Sequence, residues 1–197
     1  MKVLVTGGCG YIGSHTTIEL LNEGMEVVII DNLVNSKKEV LDSIKKITNK
    51  SVTFYELDLL NKEKLKEIFE KEKFDSVIHF AGLKAVSESV SLPLMYYQNN
   101  LISTLNILEC MKEYKVKKIV FSSSATVYGK PKSLPIKEDA SLSTTNPYGT
   151  TKLMIEEILT DLYNANNNFD ITILRYFNPI GAHKSGLIWR RSKWDTK

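Results

Sequence analysis

Residues 2–32 read KVLVTGGCGYIGSHTTIELLNEGMEVVIIDN. An apolar run at residues 3–5 is followed by three glycines at a spacing of three, by an amphipathic stretch and by a second apolar run that ends at Asp31. This order predicts a strand, a glycine turn, a helix and a second strand, which together form the unit that binds a dinucleotide.

The glycines and the acid of this stretch have separate predicted roles. Gly7 allows a sharp turn after the strand, Gly10 lets a pyrophosphate approach the backbone, and Gly13 lets the helix pack closely. Asp31 ends the second strand, where a carboxylate binds a ribose 2′-hydroxyl and disfavours a 2′-phosphate, so the pattern indicates NAD rather than NADP. The spacing is GxxGxxG, a variant of the usual fingerprint. The alternative, a glycine-rich turn without a ligand, is disfavoured by the acid and the flanking pattern.

Composition excludes several other classes of protein. The 197 residues suffice for one domain, and the net charge of +3 comes from lysines that mostly alternate with acids, which disfavours nucleic-acid binding. The two cysteines, Cys9 and Cys110, lack metal-ligand spacing and suit a reducing compartment. No apolar run is long enough to span a membrane. The first strand begins at once, leaving no room for a signal peptide, so we expect a cytoplasmic protein without a metal site.

Apolar runs alternate with helical patterns along the rest of the chain. We predict helices from Ser36, as N-cap, towards residue 47, over residues 95–114 after a break at Pro93, and over residues 147–164. Further strands are predicted near residues 52–58, 75–80, 117–124 and 170–177. The alternation predicts the α/β class: a Rossmann-type doubly wound parallel sheet with helices on both faces.

Polar or small residues follow the predicted strands, where ligands bind in such a sheet. These candidate site residues are Asp58, Phe80, Ala81, Gly82, Lys84, Ser122, Ser123, Ser124, Tyr176, Phe177 and Asn178. Any one of them could be an ordinary loop residue, but together with Asp31 they occupy five strand ends, which favours a site.

Tyr148 and Lys152 form the most informative pair. A spacing of four places both side chains on one face of a helix. An ammonium beside a phenol lowers the pKa of the phenol, which predicts that Tyr148 acts as a base near neutral pH. Ser124 could hold the substrate oxygen against Tyr148. The alternative is a chance spacing on an ordinary helix, and the preceding glycine turn and serine run disfavour it.

Six motifs give the chain a family resemblance: TGGCGYIGSH, DNLVNS, HFAGLKAVSES, FSSSATVYG, PYGTTKLMIE and LRYFNPIGAH. Over residues 1 to about 188 it resembles the UDP-glucose 4-epimerases of the extended short-chain dehydrogenase/reductase family. The resemblance implies inversion at C4 of UDP-glucose and UDP-galactose with tightly held NAD. It implies that Tyr148 is the base, that Lys152 tunes Tyr148 and holds the nicotinamide ribose, and that Ser124 positions the 4-oxygen.

The resemblance also implies a set of contact residues. The implied NAD contacts are Gly7, Gly10, Tyr11, Ile12, Gly13, Asp31, Asn32, Leu33, Val34, Asn35, Ser36, Asp58, Leu59, Phe80, Ala81, Gly82, Leu83, Lys84, Asn99, Ser124, Tyr148, Lys152 and Phe177. The implied contacts to the UDP-sugar are Lys84, Ser124, Tyr148 and Asn178. A homodimer through a bundle of the two long helices is also implied.

Two alternatives differ in chemistry. Sugar-nucleotide 4,6-dehydratases use an extra acid and base just after the fifth strand, where this chain has Ala125 and Thr126, which cannot transfer protons in that way. A non-catalytic NAD-binding fragment is the second alternative. It is disfavoured by the presence of Tyr148 and Lys152, but the C-terminal end of the chain leaves it open.

The resemblance ends near residue 188. We therefore expect residues 1–188 to be an NAD-binding domain, with the family's C-terminal substrate domain missing. Residues 189–197, WRRSKWDTK, form a non-family tail. One set of codons for this tail decodes in the neighbouring frame as GEDPNGIP, which resembles the family, so a frameshift is a hypothesis that the nucleotide sequence tests. Such a chain is expected to bind NAD weakly and to turn over UDP-galactose slowly or not at all.

Overall fold

Six parallel strands form one sheet in the computed structural model, which describes residues 1–166 and 169–189. The strands are β1 (Lys2–Thr6), β2 (Glu26–Asp31), β3 (Thr53–Glu56), β4 (Ser76–His79), β5 (Lys118–Ser124) and β6 (Asp170–Tyr176). The helices of the described residues are α1 (Tyr11–Asn22), α2 (Val40–Thr48), α3 (Lys62–Glu72), α4 (Val86–Ser91), α5 (Pro93–Glu113) and α6 (Pro147–Asn166). The sheet order is β3-β2-β1-β4-β5-β6, which confirms the predicted doubly wound α/β class.

Each central strand contributes to two hydrophobic cores because its side chains alternate between the faces of the sheet. Leu4 of β1 packs with residues of α3, α5 and α6, whereas Val3 and Val5 pack with residues of α1 and α2. All three are essentially inaccessible to solvent. Burial on both faces explains why these strands are continuous apolar runs in the sequence.

The strand order reverses between β1 and β4. The chain winds from β1 through β2 to β3 and then returns to the other side of β1 with β4. In such sheets a ligand binds outside the carboxyl ends of the strands at this reversal. The fold therefore places the candidate site at the segments that follow β1 and β4.

Pro93 separates two helices, because α4 ends at Ser91 and α5 begins at Pro93, so the predicted break at this position is confirmed. The proline is the first residue of α5, where the N–H that proline lacks would have no partner inside the helix. The short helix α4, with buried Ser89, precedes it and was not predicted.

The predicted N-cap at Ser36 was wrong. Helix α2 begins at Val40, and the Ser36 hydroxyl instead donates a hydrogen bond of 2.7 Å to Oδ1 of Asp31. A carboxylate five residues earlier in the chain therefore binds the hydroxyl that sequence reasoning assigned to the helix.

The segment after β6 folds back on the molecule. Ile188 is buried in the core beneath α1 and α2, and Trp189 forms an isolated antiparallel bridge with Ala182. Residues 190–197, most of the predicted tail, lie outside the described residues, and the frameshift stays a prediction. No helix in the described ranges has the length and apolarity needed to span a membrane.

Candidate functional site

The glycine turn joins β1 to α1 at the reversal of strand order. Gly7 has a φ of +69°, and a Cβ atom there would lie 2.8 Å from the backbone nitrogen of Ala81. A Cβ atom at Gly13 would lie 2.3 Å from the carbonyl oxygen of Gly7. The geometry at both positions excludes a side chain, in agreement with the turning and packing roles expected of these glycines.

Helix α1 presents its N-terminus beside this turn. Gly10 is the N-cap residue, and within the described part of the chain no side chain caps the helix. The first bond inside the helix runs from the N–H of Ser14 to the carbonyl oxygen of Gly10 at 2.9 Å. The first turn carries no acidic residue, so its N–H groups and the helix dipole suit an anionic group such as a diphosphate.

Asp31 is 8% exposed at the end of β2 and is held by three donors. Its Oδ1 accepts from the N–H of Leu33 at 2.9 Å and from the hydroxyl of Ser36, and its Oδ2 accepts from the N–H of Cys9 at 3.0 Å. A carboxylate offers about four acceptor positions. One position, on Oδ2, is therefore available for a hydroxyl of a ligand, which fits the ribose role predicted for Asp31.

Asn32 and Asp58 come together from the ends of two adjacent strands. The Asn32 amide donates to Oδ2 of Asp58 at 3.1 Å, and its own Oδ1 accepts from the N–H of Val34. Leu33, which lies between Asn32 and Val34, has a φ of +60°, a sparsely populated backbone conformation. The side chain of Leu59 is buried in the core, so that residue can offer only backbone atoms to a ligand.

The segment after β4 is held by Asn100, which sequence reasoning missed. Its Oδ1 accepts from the N–H of Leu83 at 2.8 Å and from the Asn99 amide, and its Nδ2 donates to the Leu83 carbonyl at 3.0 Å and to the Thr151 hydroxyl. All four hydrogen-bonding positions of this buried amide are occupied. The loop at residues 80–84 is thereby fixed beside the glycine turn.

Ser124, Tyr148 and Lys152 meet where β5 ends against the first turns of α6. The Ser124 hydroxyl lies near enough to the Tyr148 phenol to act on its pKa. Thr126 donates to Oγ of Ser124 through both its N–H, at 3.2 Å, and its hydroxyl, at 3.0 Å. With its oxygen accepting two bonds, the Ser124 hydroxyl has its proton available for Tyr148 or for a substrate oxygen.

The pKa of Tyr148 is raised and not lowered as predicted, and the pKa of Lys152 is lowered. Burial raises the pKa of Tyr148, and the nearby Ser124 hydroxyl opposes that shift. Burial lowers the pKa of Lys152 to about 8, and Glu156 opposes it. The Lys152 ammonium donates to the carbonyl oxygen of Ser122 at 2.7 Å and lies 4.7 Å from the centroid of the Phe121 ring. The prediction that Lys152 lowers the pKa of Tyr148 was therefore wrong for this structure, because the ammonium interacts with β5 instead.

Phe177 and Asn178 follow β6 on the surface. Phe177 is 61% exposed and its ring stacks on that of Tyr128, with 6.4 Å between centroids. Asn178 is exposed as well. Both therefore lie at the carboxyl edge of the sheet as predicted, open to a ligand. No group of three His, Cys, Asp or Glu side chains that could hold a metal occurs among residues 1–166 and 169–189.

These features together define a dinucleotide-binding α/β protein with a serine, a tyrosine and a lysine at its candidate active site. The chain belongs to the NAD dependent epimerase/dehydratase family, whose model matches residues 3–192.

Several relatives are similar along nearly the whole chain. The UDP-glucose 4-epimerase of Bacillus subtilis is 60% identical over 188 residues, and that of Haemophilus influenzae is 58% identical over 189 residues. Each match covers 95% of this chain and 56% of the relative, so the chain spans little more than half the length of these curated proteins. The crystal structure of the Bifidobacterium longum UDP-glucose 4-epimerase in complex with NAD+ and UDP superposes with a TM-score of 0.96. It is 52% identical, and the match covers 98% of this chain and 58% of that one.

Proposed function

We propose that this chain carries the NAD-binding and catalytic residues of a UDP-glucose 4-epimerase, an isomerase that interconverts UDP-galactose and UDP-glucose. The observation that carries the proposal is that Ser124, Tyr148 and Lys152 lie together where the end of β5 packs against α6, in the same sheet as the glycine turn. The similarity to UDP-glucose 4-epimerases supports it. A 4,6-dehydratase is not favoured, since Ala125 and Thr126 provide no acid–base pair after β5.

The proposed chemistry starts with proton transfer. Tyr148 in its deprotonated, phenolate form takes the proton of the sugar 4-hydroxyl, while the Ser124 hydroxyl donates to the same oxygen and holds it in place. NAD, when bound, accepts a hydride from C4 and returns it to the other face of the sugar. Lys152 has two further N–H donors besides the one bound to Ser122, and these are available for the nicotinamide ribose.

The first test of the proposed function is a coupled assay on the 197-residue polypeptide. With NAD and UDP-galactose we expect slow formation of UDP-glucose and no 4-keto-6-deoxy sugar. Accumulation of a 4-keto-6-deoxy product would establish a dehydratase instead. NAD binding measured by calorimetry, with no product of either kind, would favour a non-catalytic NAD-binding fragment.

Cofactor selectivity is predicted to depend on Asp31. In Asp31→Asn the repulsion of a 2′-phosphate is lost and the ribose hydroxyl loses a charged acceptor, so we expect the preference for NAD over NADP to fall about tenfold. Calorimetric Kd values for both dinucleotides measure this. Asp42→Asn, on the exposed side of α2, is the control and should leave both affinities unchanged. An unaltered ratio of the two Kd values in Asp31→Asn contradicts the role.

A homodimer is proposed through α5 and α6, which pack against each other. Ile102, Leu105 and Met154 lie on these helices with 43%, 41% and 37% of their surface exposed, so a second copy could cover them. We expect Ile102→Lys to halve the mass measured by light scattering without loss of helix content. The exposed Tyr163→Lys, further along α6, is the control. A wild-type chain that is monomeric at high concentration would refute the dimer.

Two further proposals concern organisation and compartment. Residues 1–188 are proposed as one NAD-binding domain, supported by the burial of Ile188 in the core shared with β1. A cytoplasmic location is proposed from the two buried free cysteines, Cys9 and Cys110, which suit a reducing compartment. A role in galactose metabolism is proposed from the similarity to UDP-glucose 4-epimerases.

A further inference from the structure

One face of α6 contacts the last three residues of β5. Tyr148, Lys152 and Glu156 follow each other at a spacing of four and therefore share this face. The tyrosine lies beside the side chain of Ser124, the lysine donates to the carbonyl of Ser122, and the glutamate accepts a hydrogen bond from the hydroxyl of Ser123. Glu156 is thus the third member of the row that contains the proposed catalytic residues.

Glu156 is also one half of a buried ion pair. Its side chain is 5% exposed and faces Arg175 of β6, whose side chain is 22% exposed. Nη2 of Arg175 lies 2.8 Å from Oε2 of Glu156, and Nε lies 3.1 Å and 3.2 Å from the two carboxylate oxygens. Arg175 is paired in register with Ser123 on the neighbouring strand. The pair therefore joins α6 to both strands at the edge that carries Ser124.

Arg175 extends these contacts to the segment after β5. Its Nη1 donates to the Tyr128 hydroxyl at 2.9 Å and to the Glu138 carbonyl at 3.0 Å, and the guanidinium lies 4.9 Å from the centroid of the Tyr128 ring. That ring stacks on Phe177, an implied NAD contact. One guanidinium thus connects the helix of Tyr148 with the surface predicted to meet the cofactor.

We propose that Glu156 and Arg175 are positioning residues, which hold Lys152 and Tyr148 against the end of β5 and set the electrostatic environment of Lys152. This inference rests on the proposed function for its catalytic meaning. Neither residue needs to touch a ligand, since both act through Lys152. An apolar pair could also join α6 to the sheet, but only a charged pair would alter the protonation of Lys152 in opposite directions when each partner is removed.

The charged groups around Lys152 support the expectation that Glu156 and Arg175 change its protonation in opposite directions. Burial lowers the pKa of Lys152, and the nearby Glu156 carboxylate raises it. From β4, His79 faces Lys152, and burial lowers its pKa to about 3, so it is neutral at pH 7. Tyr148 lies one turn before Lys152, and Tyr96 of α5 approaches Tyr148. With those groups uncharged, Glu156 is the anion that acts on Lys152, and Arg175 offsets part of its charge.

The test is the titration of Lys152 in three single variants. Lysine labelled with ¹³C gives ε-carbon resonances that report each ammonium, and the Lys152→Arg spectrum identifies the resonance of Lys152. We expect Glu156→Gln to lower the pKa of Lys152 by about one unit and Arg175→Gln to raise it by a similar amount. Arg175→Lys retains the positive charge and should leave the pKa close to that of the wild type. No cofactor is needed for these measurements.

Opposite shifts of the Lys152 pKa in Glu156→Gln and Arg175→Gln support the proposed role of the pair. Shifts of the same sign, or no shift, in variants that fold overturn the proposal. If Arg175→Gln does not fold because Glu156 is left buried and unpaired, the double variant Glu156→Gln/Arg175→Gln avoids that charge. Its Lys152 pKa should lie above that of Glu156→Gln, and an equal value overturns the proposal. Calorimetry with NAD on the wild-type chain separates the failure of the proposed function from the failure of the role proposed for Glu156 and Arg175. A wild type that fails to bind NAD refutes the proposed function, whereas the lysine titration still decides the role of the pair.

Discussion

Tyr148→Phe is expected to reduce the conversion of UDP-galactose to UDP-glucose by about 10²–10⁴-fold, the range that proton transfer by a positioned side chain contributes. Phenylalanine keeps the ring that packs at the start of α6 and removes only the hydroxyl, which lies near Ser124. The proton of the sugar hydroxyl then has no acceptor. The rate with NAD present, measured with a coupled assay, gives the effect, and the free energy of unfolding should change by about 1 kcal/mol or less.

Tyr163→Phe provides the matched control for this substitution. Tyr163 lies on the same helix with half of its surface exposed, so the loss of its hydroxyl should not alter the rate. If Tyr148→Phe and Tyr163→Phe retain the same activity, Tyr148 is not the base. A Tyr148→Phe variant that loses NAD binding together with activity would instead assign the residue mainly to cofactor binding.

Gly13→Ala should disrupt the glycine turn. The added Cβ atom would lie 2.3 Å from the Gly7 carbonyl oxygen and 2.8 Å from the Cα atom of Gly8, and neither backbone atom can move without displacing β1 or α1. Overpacking of this kind costs about 1–3 kcal/mol and exceeds the gain of ~1 kcal/mol that alanine brings to a helix. We expect a lower free energy of unfolding in urea and the loss of detectable NAD binding.

Gly10→Ala separates the effect on the fold from the effect on the ligand. Its Cβ atom would lie 3.1 Å from the Gly7 carbonyl oxygen, a contact that a small adjustment relieves, so stability should change less than in Gly13→Ala. The methyl group would instead lie where the pyrophosphate is expected to approach α1. A Kd for NAD at least about tenfold higher is the predicted result. Tight NAD binding by Gly10→Ala, or a Gly13→Ala chain as stable as wild type, would contradict the assignment of this turn.

Much of the site follows from local patterns. The three glycines, the apolar runs and Asp31 are enough to predict the βαβ unit, because turning, close packing and strand burial each require particular residues at short range. The spacing of Tyr148 and Lys152 correctly places both on α6. The acceptor role of Asp31 is also consistent with the structure, which leaves one position on its carboxylate for a ligand.

Only the tertiary structure decides which partner each side chain finds. Helical spacing brings Tyr148 and Lys152 to one face, but the ammonium binds Ser122 and the Phe121 ring on β5, and burial dominates both pKa values. Ser36 could cap a helix, yet it binds Asp31 because the loop turns back towards β2.

The sequence by itself determined the dinucleotide-binding fold, the positions of the strand ends and the residue types at the candidate site, since these depend on periodicity and on steric limits within a few residues. The tertiary structure alone brought Arg175 of β6 to Glu156 of α6, 19 positions apart in the chain, and Asn100 of α5 to Leu83. These contacts depend on how helices pack across the sheet, and no short-range pattern encodes that packing.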